Sequence, residues 1–172
     1  MGVSTAALRK SREMSVRLHT ESESRHEFDV TLATMEHPRY EVIPIGEVHD
    51  GAQAVAAFYR ELAQAFPDFR IELRTLYHAK DAVIAEVDFS GTHRGFWRGI
   101  PPTGRPVRYP FVAIHLFEGD RMLIERLYFD LHTILRQVGL AGDPRTLRGR
   151  LGTVVRHPLT LARSLVYWLR TR

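Results

Sequence analysis

The sequence predicts an α+β fold, a mostly antiparallel sheet with its helices grouped on one face. Three observations carry this. Apolar residues recur at helical spacing up to Met35 and again from Ala54 to Phe66. After Pro67 the period drops to two and persists through four consecutive segments. Short turns and one Pro/Gly-rich loop join those segments, with no crossover helix between them, so neighbouring strands run antiparallel.

Each element has a local reason. From Arg12 to Met35, Met14, Leu18, Phe28, Leu32 and Met35 keep an uneven helical spacing around the polar stretch Thr20 to His26, predicting one interrupted helix or two short ones. Pro38 ends that pattern, and Arg39 to Ile45 alternates as a short strand. Asp50 with Gln53 three residues on resembles a capping box for the helix that Ala54 to Phe66 would form, stopped by Pro67. Phe69, Ile71, Leu73, Thr75 and Tyr77 then face one way in a strand, Lys80-Asp81 turns, and Val83, Ala85, Val87 and Phe89 form its partner. Gly95 to Pro106 is a loop, Val107 to Phe117 and Met122 to Asp130 a second hairpin, and Leu131 to Val138 a short helix closed by Gly139. Long strands bent around a helix layer leave a concave face, where a small ligand would bind.

Composition narrows the function classes. At 172 residues, 44% hydrophobic and 26% charged, the chain suits one compact domain with a buried core. The absence of Cys excludes a disulfide framework, a thiol nucleophile and a thiolate metal site; a cytoplasmic protein is the expectation. The first ten residues lack the apolar stretch of a secretory signal. The net charge of +4 resolves into +6 on Ala141 to Arg172 and −2 on the rest, which disfavours a nucleic-acid-binding body. A division at residue 142 follows, with a folded domain over 1–142 and a basic amphipathic extension over 143–172. No metal-ligand spacing, phosphate loop, nucleophile elbow or dinucleotide fingerprint is legible, so neither a metal nor another cofactor is expected.

Five segments carry a resemblance to a known family: Gly51 to Tyr59 (Gly-Ala-Gln-Ala-Val-Ala-Ala-Phe-Tyr), Ala65-Phe-Pro-Asp-Phe, Gly91-Thr-His-Arg-Gly, Gly99-Ile-Pro-Pro-Thr-Gly-Arg-Pro-Val, and Ile124-Glu-Arg-Leu-Tyr-Phe-Asp. In order and spacing the chain resembles the SnoaL-like polyketide cyclases (ester cyclases) of the nuclear transport factor 2-like superfamily over roughly 27–140. The resemblance implies a cone formed by a curved antiparallel sheet wrapped around N-terminal helices, as in ketosteroid isomerase-like folds, usually assembled as dimers. The same cone hosts isomerases, lyases, hydrolases and noncatalytic binding modules, so fold alone does not choose the activity. For family cyclases it implies an intramolecular aldol closure in which an aspartate near the end of the last strand is acid and base, with a histidine a short way before it. Asp130 and His115 are the matching candidates.

An aldol closure needs a group that removes a proton beside a carbonyl and returns one to the forming alkoxide, and one carboxyl in an apolar pocket can do both. Asp130, flanked by Phe129 and Leu131, could serve thus; it could equally cap the helix at Leu131. His115 shares the alternation of Tyr109, Phe111 and Phe117, which places it on a mostly apolar face as a substrate contact or as a core histidine. His93, at a glycine-flanked strand end, and Trp97, in the loop after it, are candidates for the pocket mouth; Tyr109, Phe111 and Tyr128 complete the expected substrate-binding set. The activity expected is cofactor-free carbon-acid chemistry on a hydrophobic small molecule; the alternative is a noncatalytic binding or oligomerisation module. In the tail, Leu161, Leu165, Trp168 and Leu169 recur at helical spacing between Arg163 and Arg170, a pattern suited to docking on protein or to weak contact with an anionic membrane surface.

Overall fold

The computed structural model describes residues 5–171. Its order is α1 (Thr5–Ser24), α2 (Phe28–Ala33), β1 (Arg39–Val42), a 3-10 turn (Ile43–Ile45), β2 (Glu47–Asp50), α3 (Ala52–Ala65), β3 (Arg70–His78), β4 (Ala82–Thr92), β5 (Pro106–Glu118), β6 (Arg121–Phe129), α4 (Leu131–Gln137), α5 (Leu147–Arg156) and α6 (Pro158–Arg170). Six strands form one curved sheet in the order β2-β1-β6-β5-β4-β3, antiparallel throughout except where β1 lies parallel to β6. The predicted α+β class and the helix-filled cone are what the chain adopts.

One open alternative resolves and three local expectations change. The N-terminal segment is two helices, separated at Arg25 to Glu27, where His26 takes a left-handed φ of 61°. The strand from Arg39 stops at Val42, because Ile43-Pro44-Ile45 winds into a 3-10 turn and Gly46 (φ 68°) reverses the chain into a second edge strand, β2. Asp50 belongs to that strand and pairs with His37 and Arg39, so α3 begins at Ala52 with Gly51 at its N-cap and no side-chain cap. The alternation of β3 breaks at a bulge between Leu73 and Thr75; beyond it Leu76 packs on the core and Tyr77 is half exposed.

The inner sheet face and α3 make the apolar core, with Tyr59, Phe66, Phe69, Val83, Ala85, Val87, Phe89, Val107 and Ala113 buried. Phe69 stacks on Phe89 at 5.8 Å, Phe89 on Tyr109 at 4.9 Å, and Phe28 on Tyr59 at 4.8 Å. Helix α1 packs the other way round from its apolar pattern. Met14 and Leu18 are exposed, while Arg12, Val16, His19 and Glu23 point inward at helical spacing. Arg12 is held by the carbonyls of Gly119 (2.7 Å) and Lys80 (2.8 Å) and lies over the Phe117 ring, tying α1 to both hairpin turns.

Candidate active site

A cavity opens inside the cone. Its wall is aromatic and aliphatic: Phe58 and Leu62 of α3, Ile71 of β3, Phe89 of β4, Trp97 of the loop, Tyr109 and Phe111 of β5, Leu127 and Phe129 of β6, and Leu131 and Ile134 of α4. Two charged side chains join it, Arg98 and Glu23. The guanidinium of Arg98 forks onto the Glu47 carboxylate, 2.6 Å from Oε2, so its charge is already paired at the rim. Arg98 and Gly99 both take positive φ (51° and 76°) in a tight turn closed by Trp97–Ile100 backbone bonds, which turns the indole inward.

Glu23 has no such partner among the described residues. Burial in this apolar wall, and after it the nearby carboxylate of Glu125, hold its pKa well above the ordinary carboxylate range. Burial likewise raises the Tyr109 hydroxyl facing the same space.

Behind the cavity lies a polar cluster made by sheet register. Tyr40 on β1 pairs with Glu125 on β6, and Glu125 with His115 on β5, so the three stand in one row on the inner face. His19 of α1 descends onto that row: its Nε2 is 3.0 Å from Glu125 Oε2, its Nδ1 2.6 Å from Thr34 Oγ1, and its ring 5.7 Å from that of His115. Tyr40 also contacts Tyr59, and all five residues are buried. Burial raises the Glu125 pKa, but His19 and His115 together outweigh it and keep the group low, as the anion.

The residues expected from sequence separate into three groups. Trp97, Tyr109 and Phe111 line the cavity. His115 sits in the polar cluster and His93 in the core, its ring 5.3 Å from Phe66 and its Nδ1 3.1 Å from Thr103 Oγ1; burial lowers its pKa. Asp130 and Tyr128 face the outside. Asp130 accepts from the His132 amide (2.9 Å) and the Thr133 hydroxyl (2.6 Å) as the N-cap of α4, and these bonds hold its pKa below the usual value. Adjacent strand residues alternate faces, so Phe129 in the wall puts Asp130 away from it. The pairing of His115 is with Glu125, directly across the strand, and not with Asp130.

Gly95 explains the Gly-Thr-His-Arg-Gly segment. A Cβ there would lie 1.9 Å from the Gln64 carbonyl oxygen, where the end of α3 meets the loop and the amides of Arg94 and Gly95 both donate to Ala65 O. Gly95→Ala is expected to cost about 2–4 kcal/mol and to move Trp97, read as a lower Tm and altered indole fluorescence.

The comparisons agree with this architecture. The family model for SnoaL-like polyketide cyclases matches residues 16–138. A candidate SnoaL-like polyketide cyclase from Jannaschia sp. CCS1 superposes with a TM-score of 0.70 at 18% identity, covering 83% of this chain and 100% of that one. A candidate polyketide cyclase from Xanthomonas campestris pv. campestris gives 0.67 at 21% identity, covering 77% and 99%. A protein of ketosteroid isomerase-like fold from Catenulispora acidiphila, solved in complex with trimethylamine, gives 0.63 at 16% identity, covering 73% and 92%. No curated protein matches.

Proposed function

Because the chain belongs to the SnoaL-like polyketide cyclase family, we propose that it is an acid/base enzyme acting on a hydrophobic small molecule in the cone cavity, with Glu23 as the proton-transferring group. One observation carries the reading: Glu23 is the sole acid among the cavity-lining residues, set in an apolar wall that raises its pKa. In an aldol closure the Glu23 carboxylate takes a proton from the carbon beside a carbonyl. The resulting enolate attacks a second carbonyl of the same molecule, and the carboxylic acid returns its proton to the new alkoxide. Trp97, Tyr109 and Phe111 hold the substrate by apolar contact and exclude water. Glu125 acts on Glu23 from behind, through charge, and His115 lies beyond it as the partner of Glu125.

This assigns to Glu23 the role that resemblance implied for Asp130. A panel of aromatic polyketide methyl esters and 3-ketosteroids, assayed with Asp130→Ala beside wild type, tests the assignment. Turnover is expected to persist in Asp130→Ala with stability lower by about 1 kcal/mol, the usual cost of a lost N-cap. Turnover abolished in a folded Asp130→Ala protein would return the role to Asp130. Saturable binding by wild type without turnover would instead favour the noncatalytic binding module.

Association uses other surfaces. Helix α6 packs chiefly against α5 and exposes Leu159, Leu165, Tyr167 and Leu169 beside Arg163 and Arg170. Among the described residues no helix is long and apolar enough to cross a membrane. Weak contact of α6 with an anionic surface fits this face, in a protein acting as a cytoplasmic homodimer. Wild type should sediment with anionic vesicles in low salt and Leu165→Glu should not; equal sedimentation of both would exclude α6.

A further inference from the structure

We infer that His19, His115 and Glu125 form a binding site for one first-row divalent cation, zinc being the cation whose coordination they match best. No metal-ligand spacing is visible in the sequence, because the three donors come from α1, β5 and β6 and meet only through sheet register and helix placement. One ligand atom from each lies within 4.8 Å of the others, and all three side chains are buried. Two donors each about 2.1 Å from a tetrahedral zinc lie about 3.4 Å apart. The separations from Glu125 are already there: 3.0 Å from Oε2 to His19 Nε2 and 3.5 Å from Oε1 to His115 Nε2.

One observation points to a cation at this place, and a second leaves a donor available to it. The first is His115, 1% exposed, with neither ring nitrogen in a hydrogen bond. A buried imidazole that makes no hydrogen bond, its Nε2 no nearer than 3.5 Å to Glu125 Oε1, forfeits the bonds it had in water, and coordination restores one. The second is the tautomer of His19. Thr34 Oγ1 donates its one hydrogen to the Thr31 carbonyl at 2.6 Å, so it can only accept from His19 Nδ1. In the neutral ring Nε2 therefore carries a lone pair, 2.5 Å from the Tyr40 hydroxyl and 3.0 Å from Glu125 Oε2. The Tyr40 hydroxyl beside it has Tyr59 as a second partner, so Nε2 can exchange that bond for a cation held together with Glu125. Histidine ligands of metals commonly donate their other N–H to a fixed acceptor, as His19 does to Thr34. The Tyr40 hydroxyl, bonded to His19 Nε2 and to Tyr59, closes the cluster on the β1 side.

The set of two imidazoles and one carboxylate suits zinc with one coordination position left over. The alternative is a proton on His19 Nε2, giving an imidazolium–carboxylate pair. The full chain, stripped with chelator and titrated with Co²⁺ and then Zn²⁺, separates the two. One Co²⁺ per chain with visible d–d absorption, displaced by one Zn²⁺, is expected, together with a Zn²⁺-dependent rise in Tm. His115→Gln should lose the absorption, Thr34→Val should weaken binding about 10–100-fold, and His37→Asn, on the exposed edge, should bind as wild type does. In ¹⁵N-labelled wild type, Zn²⁺ should shift the imidazole resonances of His19 and His115 together, a readout that needs no variant to fold. Absence of stoichiometric binding by wild type, shifts confined to other histidines, or undiminished binding in folded His115→Gln would overturn the proposal.

Discussion

Glu23→Gln is expected to reduce turnover by about 10²–10⁴-fold, the usual contribution of a positioned acid or base. The same change is expected to make the protein more stable at neutral and alkaline pH, by about 1–3 kcal/mol, since it removes a buried group that must either hold a proton or ionise in an apolar wall. The sign follows from linkage. A carboxyl whose folded pKa is raised binds its proton more tightly in the native state, so the native protein is penalised as pH rises from the unfolded value through the folded one. The stability gain of Glu23→Gln should therefore be absent in acid, where both states are protonated, and grow across that window. Denaturant unfolding of both proteins from pH 4 to 9 checks it. In wild type, kcat/KM should rise with pH through the same window, because the carboxylate starts the reaction. Equal turnover in the variant would remove Glu23 from the mechanism, whatever its titration.

The second large effect lies behind the cavity. Glu125→Ala removes the shared partner of His19 and His115 and is expected to destabilise by about 3–5 kcal/mol, the range for breaking a buried pair by deleting one member. The milder Glu125→Gln keeps the shape and deletes the charge. Since the Glu125 anion is part of what raises Glu23, this variant should move the lower limb of the kcat/KM profile to lower pH with Glu23 intact. Glu125 has its own acid signature. Its folded pKa is depressed, so its contribution is complete above the unfolded value of about 4.3 and is lost as pH falls below it. Acid unfolding should thus lose its Glu125-dependent part only at the acid end, opposite to the Glu23 window. An unmoved activity limb in folded Glu125→Gln would mean that the two carboxyls do not interact.

Much of this architecture is legible in the sequence because the hydrophobic period reports it directly. The two hairpins, the helix stopped by Pro67 and the helix before Gly139 all appear where alternation or helical spacing places them. Trp97, Tyr109 and Phe111 reach the cavity for the same reason, since strand alternation and a glycine-bounded loop fix their direction. What the period could not show is a helix that turns its polar side inward. Arg12, Val16, His19 and Glu23 keep a clean helical spacing, but three of the four are polar and read as solvated surface, while Met14 and Leu18 drew attention to the opposite face. The signal was spacing without hydrophobicity. The row Tyr40–Glu125–His115 lay out of reach for a second reason: it exists only once β1 is known to run parallel to β6 and β5 to pair with β6 in that register. Asp130 illustrates the converse. Its place before a helix argued for a cap, its place in the resemblance for catalysis, and its hydrogen bonds are those of a cap.

The most direct test of the account is the titration of Glu23 itself in the ligand-free protein. The side-chain carboxyl ¹³C resonances of glutamate-labelled protein can be followed with pH, Glu23 being identified by the signal missing from Glu23→Gln. The account predicts a midpoint well above the ordinary glutamate value of about 4.3, falling when Glu125 is replaced by Gln. A midpoint at or below that value would show an ordinary ionised carboxylate, and would contradict the assignment of Glu23 as the proton-transferring group.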